Sequence, residues 1–180
     1  MAHAVEQVPA SQMSLPHVLL VEDQEKAARG IEELLRLEGF RVTRAADGPQ
    51  ALTAAETDRL DAVVLDIMLP GMNGFEVCQA LRAYEPTRQV PIVLLTGLSD
   101  TPHKLQGLET GADDYLVKPV PTRELAARLR KLIAGRLERA TALQKHRVEA
   151  IREIAAAVGH EINNPLAAAL GTLDLVLLRD

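Results

Sequence analysis

The 180-residue sequence predicts an α/β fold, a five-stranded parallel sheet with helices on both faces, extended by a long C-terminal helix. Three observations carry that prediction. Short unbroken apolar runs recur through the first 120 residues, the pattern of strands covered on both faces. Amphipathic stretches of helical period separate them, and such alternation forces right-handed crossovers and a parallel sheet. From residue 122 onward the helical pattern is interrupted only by glycines and by Pro165.

The elements follow in order. Residues 1–14 show no apolar period and read as a loose, disordered leader. His17–Val21 (HVLLV) is the first covered strand. Gln24–Glu38 sets Ala28, Ile31, Leu34 and Leu35 at helical spacing, and Gly39 stops it. Phe40–Ala46 alternates as a half-exposed strand, and Asp47-Gly48 turns into an Ala-rich helix reaching Thr57. Ala62–Leu69 (AVVLDIML) is the next covered strand, followed by a helix over Asn73–Tyr84. Pro91–Leu98, a helix around Thr101–Thr110 and a short strand Tyr115–Val117 complete the alternation.

Composition narrows the function. At 47% apolar residues the chain can bury a core, and no apolar run approaches the ~20 residues that span a bilayer. Neither a secretory signal nor a membrane partner is expected. The single cysteine, Cys78, fits a reducing cytoplasm. Four aromatics and a net charge of −5 offer no stacking platform or basic field, so no nucleic-acid partner is expected. The charge is uneven: residues 1–120 hold 10 Lys and Arg against 18 Asp and Glu, and residues 121–180 hold 10 against 7.

Ligands of open parallel α/β sheets sit beyond the carboxyl ends of the strands. Glu22 and Asp23 stand after the first strand, Asp66 within the third, Thr96 after the fourth and Lys118 after the fifth. Three carboxylates, a hydroxyl and an ammonium on one rim suit a hard cation, Mg²⁺, beside a phosphoryl group. The ammonium can neutralise that group and the hydroxyl can donate to it. A carboxylate beside the metal can itself be the nucleophile, giving an aspartyl phosphate. Asp66 is the strongest single signal, because an unpaired carboxylate is costly in an apolar strand. The Glu22-Asp23 pair alone reads more often as an ordinary helix cap than as a site. Neither GxxxxGK[ST] nor GxGxxG is present.

The strings VLLVED (18–23), LDIMLPGMNGFEV (65–77), LLTG (94–97) and YLVKP (115–119) resemble the receiver domain of bacterial response regulators. The resemblance implies a flavodoxin-like domain over residues 15–121 with Asp66 as phosphoacceptor. It implies Mg²⁺ held by Glu22, Asp23, Asp66 and the backbone carbonyl of Met68. Thr96 and Tyr115 would be the switch pair, Lys118 would contact the phosphoryl group, and the Lys118–Pro119 bond would be cis.

In the rear, Leu125, Leu129, Leu132, Ile133 and Leu137 form an apolar stripe that weakens over Gln144–Arg147 and resumes at Val148. At 1.5 Å per residue this helix would run about 90 Å. Such a rod cannot cover its stripe on the sheet alone, which predicts a parallel homodimer with a stutter or hinge near 144–147. Residues 122–147 thus read as a last domain helix and coiled-coil linker. HEINNPL (160–166) resembles the H-box of the histidine-kinase dimerisation and phosphoacceptor domain, whose first helix would cover 148–180. That resemblance implies phosphoryl acceptance by His160, proton transfer assisted by Glu161 and a water oriented by Asn164. Pro165 is expected to bend the helix.

The sequence is therefore expected to be the front of a cytoplasmic, receiver-first histidine kinase, cut before its ATP-binding domain. Its partners would be an upstream histidine kinase or phosphotransfer protein, and a downstream receiver or its own kinase domain. The alternative is a stand-alone, non-enzymatic response regulator whose C-terminal helix is a dimerisation or partner-docking coil.

Overall fold

The computed structural model describes residues 15–97 and 110–177, with Thr122 and residues 155–177 as backbone alone. The chain runs β1 (His17–Val21), α1 (Glu25–Leu37), β2 (Arg41–Ala45), α2 (Gly48–Thr57), β3 (Ala62–Asp66), α3 (Gly74–Ala83), β4 (Ile92–Thr96), β5 (Asp114–Val117) and α4 (Thr122–Leu177). The sheet order is β2-β1-β3-β4-β5, and every pair is parallel.

Alternation along the strands divides the core between the two faces of the sheet. Leu19, Val21, Val63, Leu65, Ile92 and Leu94 point to one face, with Ala51 and Ala55 of α2 and Val77, Cys78 and Leu81 of α3. Val18, Leu20, Val64, Val93, Leu95 and Leu116 point to the other, with Leu35 of α1 and Leu125, Ala126 and Leu129 of α4. Strands covered on both sides have no polar face, which is why β1, β3 and β4 read as continuous apolar runs. Each such Val or Leu contributes about 1.5–3 kcal/mol by leaving water.

Helix ends follow local chemistry. Asn73 caps α3 in a reciprocal box: its side chain accepts from the Glu76 N–H at 3.0 Å, and Glu76 accepts from the Asn73 N–H at 2.8 Å. Asp47 caps α2 by accepting from the Gln50 N–H at 2.8 Å. Gly39 leaves α1 with φ 84°, the left-handed conformation that favours glycine.

Two strands, β3 and β4, are shorter than their apolar runs. β3 ends at Asp66, although Ile67 and Leu69 remain buried, because loop residues also fill the core. β4 starts at Ile92, since Pro91 has no N–H to give the ladder and offers only its carbonyl, to Val63. Leu34, expected on the covered stripe of α1, is 40% exposed. The predicted leader lies outside the described residues, as does nearly all of the helix predicted around Thr101–Thr110.

The chain forms two compact units, Met1–Arg136 and Leu137–Asp180. In the first, the opening turns of α4 bury Leu125, Ala126 and Leu129. In the second, α4 exposes Leu137, Leu143, Val148, Ile151 and Ile154. The helix assignment continues through Gln144–Arg147 and Pro165. Among the described residues, no helix is long and apolar enough to cross a membrane.

Candidate functional site

β1 lies between β2 and β3, so the chain leaves it in opposite directions and opens a crevice at the carboxyl ends of β1 and β3. Glu22 directly follows β1 and Asp66 is the last residue of β3, so the two strands deliver both carboxylates there. Each is only 2% exposed, whereas Asp23 is exposed. Carboxylate oxygens of Glu22, Asp23 and Asp66 all lie within 4.8 Å of one another.

Lys118, the residue after β5, reaches across to them. Its Nζ donates to Glu22 Oε2 at 2.6 Å and to Asp66 Oδ2 at 2.7 Å. Asp66 Oδ1 accepts from the Met68 N–H at 3.2 Å, which sets the Met68 peptide beside the carboxylate. The Lys118–Pro119 bond is cis.

Burial pushes the Glu22 carboxyl above its ordinary range, with the Asp66 charge adding to it and the Lys118 hydrogen bond opposing. Burial works against the Lys118 ammonium, but hydrogen bonds and charges from Asp66 and Glu22 outweigh it and raise its pKa. The cluster therefore holds three carboxylates against one firmly protonated amine. Two negative charges are left over beside a buried surface, a costly arrangement unless something cancels them. Hard carboxylate oxygens and a deficit of two positive charges fit Mg²⁺, with Glu22, Asp23 and Asp66 as the residues that would hold it.

Thr96 ends β4 and is 3% exposed, and its carbonyl accepts from the Lys118 N–H at 2.7 Å. Tyr115, three residues before Lys118 on β5, is 39% exposed. The structure thus brings Glu22, Asp23, Asp66 and Lys118 together, with Thr96 and the Met68 peptide at the same rim. His160, Glu161 and Asn164 lie on the backbone of α4, and their side chains are outside the described residues.

Two participants escaped the sequence reading. A Cβ on Gly74 would stand 2.2 Å from the Asp66 carbonyl oxygen and 2.8 Å from Ile67 Cα, so α3 can back onto the Asp66 peptide only through glycine. Glycine beside the Asn73 cap was visible in the sequence, but close approach between segments has no local signature. The second is Arg128 of α4, whose Nη1 reaches both oxygens of Asp114 at 2.9 and 2.7 Å. The Tyr115 N–H donates to the same carboxylate at 2.8 Å.

Residues 18–130 match the family model of the response regulator receiver domain. The chain is 47% identical over 116 residues to the sensory transduction protein RegX3 of Mycolicibacterium smegmatis, covering 64% of this chain and 50% of that protein. It is 50% identical over 113 residues to the DNA-binding response regulator MtrA of Mycobacterium tuberculosis, covering 63% and 48%. The chain therefore spans about half the length of the curated relatives it matches. Its fold is similar to the receiver domain of a sensor histidine kinase from Pseudomonas aeruginosa, solved with a magnesium ion coordinated in its active-site cleft. That likeness has a TM-score of 0.62 at 39% identity and covers 66% of this chain and 98% of that one.

Proposed function

Because the chain belongs to the response regulator receiver domain family, we propose that it is the Mg²⁺-dependent phosphoryl-accepting switch of a cytoplasmic two-component pathway, with Asp66 as the acceptor. The observation that carries this reading is the charge deficit of the rim, where buried Glu22 and Asp66 share one ammonium and the exposed Asp23 carboxylate lies within 4.8 Å of both. When bound, the divalent cation would offset charge on the phosphoryl oxygens and on the carboxylates together.

An Asp66 carboxylate oxygen forms a bond to phosphorus while the bond to the donor breaks, its electron pair leaving with the donor imidazole or carboxylate. Lys118 Nζ, 2.7 Å from that carboxylate, is beside any phosphoryl group built on it and can pair with its oxygens. Glu22, held by the same ammonium, keeps Lys118 aimed at the rim. The Thr96 hydroxyl, at the end of β4, is the group within reach to report the new charge.

The report travels along β5. Thr96 and Val117 are register partners, and Asp114, at the far end of β5, grips Arg128 of α4. Reorientation of Thr96 and Tyr115 changes the seating of β5, and Arg128 carries that change to α4. The output favoured by the response-regulator relatives is a switch whose exposed stripe from Leu137 to Ile154 docks a second copy or a partner protein. Pairing with a second copy would make it a homodimer. The DNA binding in a relative's name belongs to a protein about twice the matched length and weighs only weakly against the expectation of no nucleic-acid partner.

The string HEINNPL keeps a second reading, in which α4 is the phosphoacceptor helix of a histidine kinase and His160 its acceptor. One experiment separates the two. Wild type, Asp66→Ala and His160→Ala are treated with acetyl phosphate and Mg²⁺, then read by intact mass and lability. A single base-labile phosphate, absent only in Asp66→Ala, supports the switch. An added acid-labile fraction that needs both residues supports the relay. No phosphate on wild type overturns the proposal.

A further inference from the structure

The opposite end of the sheet carries a different imbalance. A cavity of about 840 Å³ opens at the amino ends of β1 and β2, beneath the last turns of α4 in the first compact unit. Its size suits a ligand of a few hundred daltons. Three guanidinium groups line it, those of Arg36, Arg41 and Arg59, against one carboxylate, Asp61. One Asp61 oxygen is already engaged by the His17 N–H at 2.8 Å.

The arginines are only partly satisfied. Arg36 pairs with Glu32 of its own helix at 2.7 Å. Arg41 donates to the Nδ1 of His17 at 2.5 Å, and His17 itself is buried. Among the described residues, neither Arg41 nor Arg59 forms an ion pair with a carboxylate. With Arg36 taken by Glu32, Arg41 and Arg59 against Asp61 leave one positive charge in excess around the cavity, a local reversal within residues 1–120, where acids outnumber bases 18 to 10. The rest of the lining includes Phe40, Val42 and Ile133, an apolar wall beside the guanidinium groups.

We propose that this cavity binds a small amphipathic dianion: a phosphate monoester or phosphonate carrying one apolar group. Arg41 and Arg59 hold its oxygens, since the planar guanidinium matches phosphate geometry through paired N–H donors. The apolar group rests on Phe40, Val42 and Ile133. Ile133 belongs to α4, so an occupant would touch α4 and the sheet at once. It would give that helix a second input, independent of Asp66 at the far rim.

The test uses the full chain without Mg²⁺, titrated with phenylphosphonate and followed by amide chemical shifts. The expected result is saturable shifts at Phe40, Arg41, Arg59 and Ile133, with Asp66, Thr96 and Lys118 unmoved. Arg59→Gln, which removes no side-chain bond among the described residues, and the Arg41→Gln/Arg59→Gln double variant should weaken binding, the double variant by roughly tenfold or more. Inorganic phosphate should bind more weakly than phenylphosphonate, and Asp66→Ala should bind as wild type. Absent shifts, shifts confined to the Asp66 rim, or undiminished binding in the double variant would overturn the proposal. Equal binding of inorganic phosphate would overturn the apolar half of it.

Discussion

The two ends of the sheet use the same side chains to opposite purposes. At the amino ends, among the described residues, carboxylates have donors of their own: Asp61 takes the His17 N–H at 2.8 Å, and Asp58 takes the Thr43 hydroxyl at 3.1 Å. Asp113 takes Arg82 at 2.6 Å and the Ile92 N–H at 2.8 Å. These contacts close loops onto the starts of strands. At the carboxyl ends, Glu22 and Asp66 are nearly inaccessible, Asp23 joins them, and one ammonium serves the group. A carboxylate with its own donor is architecture, while a cluster short of positive charge is a site waiting for a cation. The lesson is to count charges at each rim before assigning roles to single residues.

Substitutions can break that contrast. The largest effect is expected from exchanging the two ends: Asp66→Ala abolishes phosphate uptake from acetyl phosphate. Asp61→Ala leaves uptake intact and costs about 1.5 kcal/mol of stability, read from urea unfolding. Uptake unchanged in Asp66→Ala would sink the contrast. Gly74→Ala forces a methyl group into the Asp66 backbone, and a loss of about 3 kcal/mol is expected from the overlap. A variant as stable as wild type would show that α3 can retreat.

Lys118→Met leaves the Glu22 and Asp66 charges unopposed, an expected cost of about 2 kcal/mol without Mg²⁺. Added Mg²⁺ should restore more stability to this variant than to wild type, as calorimetry can measure. Equal responses would mean that the ammonium and the cation do not answer the same charge.

The smallest effect is on pH dependence. Because the folded pKa of Glu22 lies above its ordinary 4.5, the folded chain holds more protons than the unfolded chain between those two values. Without divalent cation, its contribution to stability therefore falls as pH rises through that window. Mg²⁺, which needs the carboxylate, should flatten or reverse the slope. Unfolding midpoints across pH that fall identically with and without Mg²⁺ would place Glu22 outside the cation's reach.

Much of this rim was legible in the sequence because strand order and strand ends are set by apolar pattern. Asp66 stood out within AVVLDIML since nothing else in that run is polar. Glu22 did not, because its near-complete burial depends on the neighbouring strands and on Lys118, 96 residues away. The length of β3 was overread for a related reason: Ile67 and Leu69 are buried without joining the ladder, and apolar pattern reports burial rather than hydrogen bonding. The Arg128–Asp114 contact and the close approach at Gly74 join segments across space and leave no periodic trace. The arginine cavity is hidden likewise, its three guanidinium groups coming from α1, β2 and the loop before β3.

The central claim is that the charge deficit at the carboxyl rim is made up by a divalent cation held by Glu22, Asp23 and Asp66. Thermal unfolding of the full chain over a Mg²⁺ titration tests it most directly, with Asp23→Ala as control because Asp23 is exposed and its loss spares the core. The account predicts a saturable rise in Tm for wild type, following ligand linkage, and a much smaller rise in Asp23→Ala. A wild-type Tm indifferent to Mg²⁺, or an equal rise in the variant, would contradict it.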